Sequence, residues 1–248
     1  MSVLGKKILC TRPAEDAAEF SALLGKYGAE VITAPLIEIH PVKDFSQLDN
    51  CLDKITEYSG IIFTSSNAVR YFFERVKQKK INISIKLYAV GSKTKEFIER
   101  SGYKVFTFPE NYNSASLAEV LKADTHVNSK FLFPAGNIGM KTILKELPEV
   151  EEIVVYETRK PMKNQLLQNA EIMLASGLID CIAFFSPSAV TNFAELFPGY
   201  RNFRTEYAVI GKTTERRLQL LGLKADIISD NAEAERLGEA INKFYNEQ

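Results

Sequence analysis

Twice in this 248-residue chain, hydroxyls and amides crowd between an apolar run and an amphipathic one. Ile61–Phe63 leads into Thr64-Ser-Ser-Asn67 and then Ala68-Val-Arg-Tyr-Phe-Phe-Glu74; Ile182–Phe185 leads into Ser186-Pro-Ser-Ala-Val190 and then Thr191–Leu196. Each reads as a buried strand, a turn and a helix start. Unpaired N–H groups and the helix dipole make such a start attractive to anions. Thr64, Ser65, Ser66 and Asn67, with Ser186 and Ser188, are therefore candidate ligand contacts. The plain alternative is that they only cap their helices. A second pair of turns has the same character: Gly91-Ser-Lys-Thr94 after Lys86–Val90, and Gly211-Lys-Thr-Thr214. The candidates there are Gly91, Ser92 and Thr94, and Lys212, Thr213 and Thr214. Arg12, just after the strand Lys7–Cys10, and Gly136, in Pro134-Ala-Gly-Asn-Ile-Gly139 after Phe131–Phe133, complete the set. Ligands of open parallel sheets collect at the carboxyl ends of the strands, where all these turns would lie.

Few carboxylates stand in these loops, which suits a polyanionic ligand held by backbone N–H groups and hydroxyls. Gly211-Lys-Thr lacks the glycine-rich lead-in of a Walker motif, and no G-x-G-x-x-G marks a dinucleotide site. His40 and His126 are the only histidines. Neither lies in a strand-end loop or has a Cys, His or carboxylate at ligand spacing, so no Ser-His-Asp triad and no metal site is expected. Paired carboxylates for glycoside cleavage are not visible. Cys10, Cys51 and Cys181 are too few and scattered for a disulfide framework; Cys10 and Cys181 read as small core residues. What remains is chemistry by hydroxyls, amides and one phenol.

Lys+Arg and Asp+Glu balance at 31 each, which argues against a broad nucleic-acid or membrane footprint. With 46% hydrophobic residues the chain can bury the core of one large domain or two small ones. Met-Ser-Val-Leu-Gly-Lys-Lys is no signal segment, and no run of about 18 apolar residues occurs, so a cytoplasmic protein is expected.

The elements that must position these turns follow from local pattern. Pro13 opens a helix carrying Phe20, Leu23 and Leu24, which Gly28 stops. Val31–Ile39 is extended, broken by Pro35 and closed by Pro41, and a helix spans Leu48–Ile55. Another helix ends at Gly102, and Lys104–Phe108 reads as a strand. Ser116 and Glu119 form a capping box before Leu117, Val120 and Leu121. Ile153–Thr158 is extended again, closed by Pro161.

The chain also repeats itself. Ser65 and Ser186 stand 121 positions apart. Pro41-Val-Lys43 is echoed by Pro161-Met-Lys163, and Gly91-Ser-Lys-Thr94 by Gly211-Lys-Thr-Thr214, each 120 positions on. An internal duplication of βα units gives two similar α/β domains with parallel sheets. Contiguous halves would meet near Thr125. Yet Val31–Val42 and Ile153–Met162 occupy the same place in each half, and both are extended and proline-ended. If both carry the chain across, residues 1–36 with 163–248 form a discontinuous domain and 43–152 a continuous one. Segments 37–42 and 153–162 would then pair as a hinge.

Taken in order, Ile8-Leu-Cys-Thr-Arg-Pro13, Pro35-Leu-Ile-Glu38, Thr64-Ser-Ser-Asn-Ala-Val69, Val90-Gly-Ser-Lys-Thr94, Val155-Tyr-Glu-Thr158, Phe185-Ser-Pro-Ser-Ala-Val190 and Ile210-Gly-Lys-Thr-Thr214 resemble the uroporphyrinogen-III synthase family. The likeness covers the whole chain, and the ordered set is more specific than any one motif. It implies two α/β domains, the first discontinuous, joined by a two-stranded β-ladder. It implies cyclisation of hydroxymethylbilane with loss of water and inversion of the last pyrrole ring, without metal or organic cofactor. The partners expected are that substrate and, transiently, hydroxymethylbilane synthase, for a monomer that binds neither nucleic acid nor membrane.

Such a substrate carries eight carboxylates, which suits hydroxyl-rich strand ends closing on it from two sides. Its pyrrole nitrogen can expel the hydroxyl, so the protein need only supply a proton and hold geometry. Tyr156 is the candidate donor, by its place in the crossing segment and by the family's Val-Tyr-Glu-Thr setting; the alternative is a tyrosine that packs the hinge. One departure is Pro134-Ala-Gly136, where many members have an Arg-Gly pair. Lys141 offers a charge in its place, or is simply a solvated helix lysine. Two other classes stay open: a non-catalytic binder of an anionic small molecule, and a phosphosugar isomerase-like protein, which should show a Glu or His base.

Overall fold

The computed structural model describes residues 3–106, 129–138 and 150–247. The chain forms two compact units, one of residues 1–38 with 159–248 and one of residues 39–158. The expected capping box at Ser116 and Glu119, His126 and Lys141 lie outside the described residues.

In the first unit five strands pair in the order β10 (Ile227–Ile228), β9 (Glu206–Val209), β8 (Cys181–Phe184), β1 (Lys7–Cys10), β2 (Glu30–Thr33). All four pairings are parallel. Successive strand residues face opposite sides, and the two sides differ in size. Ile8, Cys10, Cys181, Ala183 and Ala208 are mostly small, and they receive helices α1 (Ala14–Lys26) and α8 (Ala234–Asn246) through Phe20, Leu24, Leu237 and Ile241. Leu9, Ile182, Phe184, Tyr207 and Val209 meet α5 (Gln165–Ala175), α6 (Pro187–Leu196) and α7 (Lys212–Gln219) on the other side. Helices on both faces are what an all-parallel sheet needs for burial.

The second unit orders its strands β3 (Glu38–Pro41), β7 (Val150–Arg159), β6 (Phe131–Gly136), β4 (Gly60–Phe63), β5 (Lys86–Ala89). The pairings of β4 with β5, β4 with β6 and β6 with β7 are parallel. Ile61, Phe63, Leu87, Leu132, Ile153 and Val155 pack on α2 (Ser46–Asp53), α3 (Ser66–Lys79) and α4 (Ser92–Arg100). Val69, Phe72, Phe73 and Val76 recur along α3 at helical spacing and are buried in that core. Among the described residues no helix is long and apolar enough to cross a membrane.

Several boundaries differ from the sequence expectation. The strand from Phe131 runs through Pro134 to Gly136, because Pro134 has β7 on one side and needs no N–H there. The extended run from Val31 to Ile39 is two strands separated at Ala34–Ile37; β3 pairs with β7, as expected of the two crossing segments, and the pair forms one side of the second sheet, with β7 an interior strand. Tyr103–Val105 is not a strand, although the Phe106 N–H donates to the Leu87 carbonyl at 2.8 Å. Thr107 and Phe108, the end of that expected strand, lie outside the described residues. Helix α3 starts at Ser66 and α6 at Pro187, earlier than expected, because a serine caps each.

Candidate active site

The duplicated serines occupy equivalent backbone positions. Ser65 has φ −150° and ψ 145°, Ser186 φ −159° and ψ 155°. Each side-chain oxygen accepts the N–H three residues on, Ala68 and Ala189, at 3.1 Å. Capping is thus part of what both serines do. Thr64, Ser66, Asn67 and Ser188 are half-buried around these starts. Gly91 precedes α4 at φ +90°, which side chains avoid, so glycine is required there. Ser92, Lys212 and Thr213 are exposed, but Thr94 and Thr214 are only 4% and 2% accessible. Each sits four residues before a buried Ile98 or Leu218, which puts it on the inner face of its helix.

In the first unit the Arg12 guanidinium lies 5.0 Å from the centroid of Phe185, the residue before Ser186, and 3.9 Å from the Asp16 carboxylate. Thr11 is turned inward, its hydroxyl donating to the Ala183 carbonyl at 2.8 Å. A half-buried cation beside a hydroxyl-capped helix start is suited to a carboxylate.

Tyr156 belongs to the second unit and depends on a defect in the ladder. Ala135 pairs with Val154, but Gly136 pairs with Tyr156, so β7 carries one extra residue. Strict alternation would send Tyr156 to the face opposite Ile153 and Val155; instead it packs against the same core as they do. Its ring stacks on Tyr71, centroids 6.0 Å apart and planes 24° from parallel. The ring then crosses Gly136, where a Cβ would stand 2.5 Å from Cζ, and brings the phenol to 3.4 Å from the Ser65 hydroxyl. That exceeds the usual O–H···O distance of about 2.8 Å, so the phenolic proton is not committed to Ser65. Beside it, Asn137 extends the ladder: its N–H donates to the Tyr156 carbonyl at 3.1 Å and its Oδ1 accepts the Thr158 N–H at 2.8 Å.

The structure thus brings together Tyr156, Gly136 and Ser65 from β7, β6 and the turn after β4. Sequence reasoning missed Tyr71 and Asn137, and it offered no signal that Gly136 is there to admit a ring. The three cysteines are buried, and burial pushes the Cys10 thiol up to about 11 and raises Cys51 and Cys181 as well, which disfavours the thiolate form. Among the described residues no three His, Cys, Asp or Glu side chains are placed to hold a metal.

Comparison with known proteins gives a consistent family. Residues 18–239 match the family model described as uroporphyrinogen-III synthase HemD. A uroporphyrinogen-III synthase of Chlorobaculum parvum is 31% identical over 246 residues, covering 95% of this chain and 98% of that protein. In fold the chain is similar to a mutant uroporphyrinogen III synthase of the extreme thermophile Thermus thermophilus, with TM-score 0.64, 15% identity and coverage of 98% and 100%. It is also similar to the Helicobacter pylori uroporphyrinogen-III synthetase, with TM-score 0.62, 20% identity and coverage of 94% and 97%.

Proposed function

The chain belongs to the uroporphyrinogen-III synthase family, and from that premise we propose how its own residues carry out the family's reaction in tetrapyrrole biosynthesis. The substrate is hydroxymethylbilane, a linear tetrapyrrole with eight carboxylates. Loss of its hydroxyl as water, ring closure and inversion of the last pyrrole give uroporphyrinogen III. The pyrrole nitrogen pushes the hydroxyl out, and the Tyr156 phenol gives it a proton. A neutral phenol suits this step because it brings no charge of its own among the substrate's carboxylates; the phenolate it leaves faces the cation that loss of water creates on the pyrrole, and it regains the proton that ring closure releases. Ser65 sits where it can donate a hydrogen bond to the phenol's oxygen as it gives up its proton, or hold the leaving water.

The carboxylates fall to the strand-end turns. Arg12 with Ser186 and Ser188, and Lys212 with Thr213, serve in the first unit; Thr64, Ser66 and Asn67, with Gly91 and Ser92, serve in the second. Thr94 and Thr214 act beneath them, holding the helix starts that present those N–H groups. The domains are residues 1–36 with 163–248 and residues 43–152, and the hinge strands, 37–42 and 153–162, cross between them while completing the second sheet and giving its core Ile153 and Val155. The observation that carries this reading is the phenol of Tyr156 held over Gly136 beside Ser65 in a chain of this family.

The test is to supply freshly made hydroxymethylbilane and resolve the type I and type III isomers. Type I forms spontaneously, so the expected result is type III in excess, in proportion to enzyme. Only type I, at the uncatalysed rate, would overturn the proposal.

A further inference from the structure

The aim of the Tyr156 phenol is set by neighbours that take no part in proton transfer. The bulge opposite Gly136 turns the side chain toward α3. The ring can lie there only because Gly136 has no side chain: a Cβ would stand 2.5 Å from Cζ, 2.6 Å from Cε2 and 2.9 Å from the hydroxyl oxygen. Separations below 3 Å force one partner to move, and both Gly136 and the stacked Tyr71 are buried, so the ring must yield. Asn137 pins the strand on the far side of the same bulge through Tyr156 O and Thr158 N–H. Its side chain thus carries the pairing two residues beyond the bulge, past the last residue of β6.

We propose that Gly136 and Asn137 are positioning residues for Tyr156, Gly136 by leaving room for the ring and Asn137 by fixing the bulged strand. This rests on reading Tyr156 as the proton donor. A displacement of about 1 Å can cost on the order of 10²-fold in rate, comparable to the low end of what general acid catalysis contributes. Gly136→Ala should therefore act through the phenol, chiefly on kcat.

The experiment is a double-mutant cycle on type III formation with the full chain: Tyr156→Phe, Gly136→Ala and the pair, with thermal melting of each. Tyr156→Phe is expected to lower kcat about 10²-fold at little cost in stability. Gly136→Ala should lower kcat by a similar factor with KM little changed, and the pair should be no slower than Tyr156→Phe alone. An equal penalty in both backgrounds, or none in either, would overturn the positioning role while leaving the donor standing. Tyr156→Phe within about threefold of the parent, outside the catalytic range, would remove the donor and the positioning role with it. Because Gly136→Ala strains a buried site, Asn137→Ala supplies a surface variant for the same cycle. Its kcat loss should vanish in the Tyr156→Phe background and be restored by Asn137→Asp, which keeps the acceptor for Thr158 N–H. Persistence in that background would count against Asn137.

Discussion

At the scale of single residues, the same oxygen is asked to do two things. Ser65 Oγ accepts the Ala68 N–H at 3.1 Å and faces the Tyr156 phenol at 3.4 Å; Ser186 makes the matching capping bond to Ala189 on its side of the repeat. Losing a serine cap costs about 1 kcal/mol, which lowers Tm by about 2–4 °C in a chain of this size. Ser65→Ala and Ser186→Ala should each show that drop. Each should also keep type III activity within several-fold of the parent, because the backbone N–H groups of the helix starts remain. Removing both should cost more. Abolished turnover in either single variant, with melting barely changed, would mean a nucleophile and not a cradle. The duplication was legible in the sequence at these two serines because capping is local: the helix start, the hydroxyl and its N–H partner lie within four residues.

At the scale of elements, the second sheet is tied at the end opposite the site. The Glu151 carboxylate at the start of β7 accepts from Lys130 Nζ at 2.6 Å and from the Tyr58 hydroxyl at 2.7 Å, and lies 3.7 Å from Cys51 Sγ. The Lys130 hydrogen bond, then that of Tyr58, holds its pKa below the ordinary Glu value. A carboxylate with a depressed folded pKa stabilises the protein above its unfolded pKa and loses that contribution as pH falls through the folded one. Both charged side chains are more than a third exposed, so solvent screens the pair and the effect is modest. Glu151→Gln should melt below the parent at pH 7. The gap should close as the pH falls below the ordinary Glu range, about 4.3. A gap that persists unchanged at pH 3 would show that packing, not charge, accounts for the loss.

For the whole molecule, the order of strands departs from the order of the chain. β1 pairs with β8 across some 170 residues of sequence, while β4 lies in the other sheet. A fragment of residues 1–123 would hold β1 and β2 without β8 and β9, and β4 and β5 without β6 and β7, so it should not fold. Residues 39–158 hold all of one sheet but a residue at either edge, and should unfold cooperatively in urea with the circular dichroism of an α/β domain. Ending that fragment at 152 instead would discard Ile153 and Val155 from its core. Cooperative unfolding of 1–123 would argue for contiguous halves. The sequence by itself determined the strand–turn–helix starts, the repeat at 120–121 positions and the hydroxyl-rich strand ends, since each is a pattern of neighbours along the chain. Even the choice of Tyr156 could be made from its setting in Val155-Tyr-Glu-Thr158. Its direction could not. Alternation along β7 would have turned it away from Ser65, and only the pairing of Gly136 with Tyr156, one residue out of step, turns it back. That step is a property of how two strands pair with each other, so no periodicity within either strand records it. The tertiary structure alone decided that a glycine on one strand would make room for a phenol on the next.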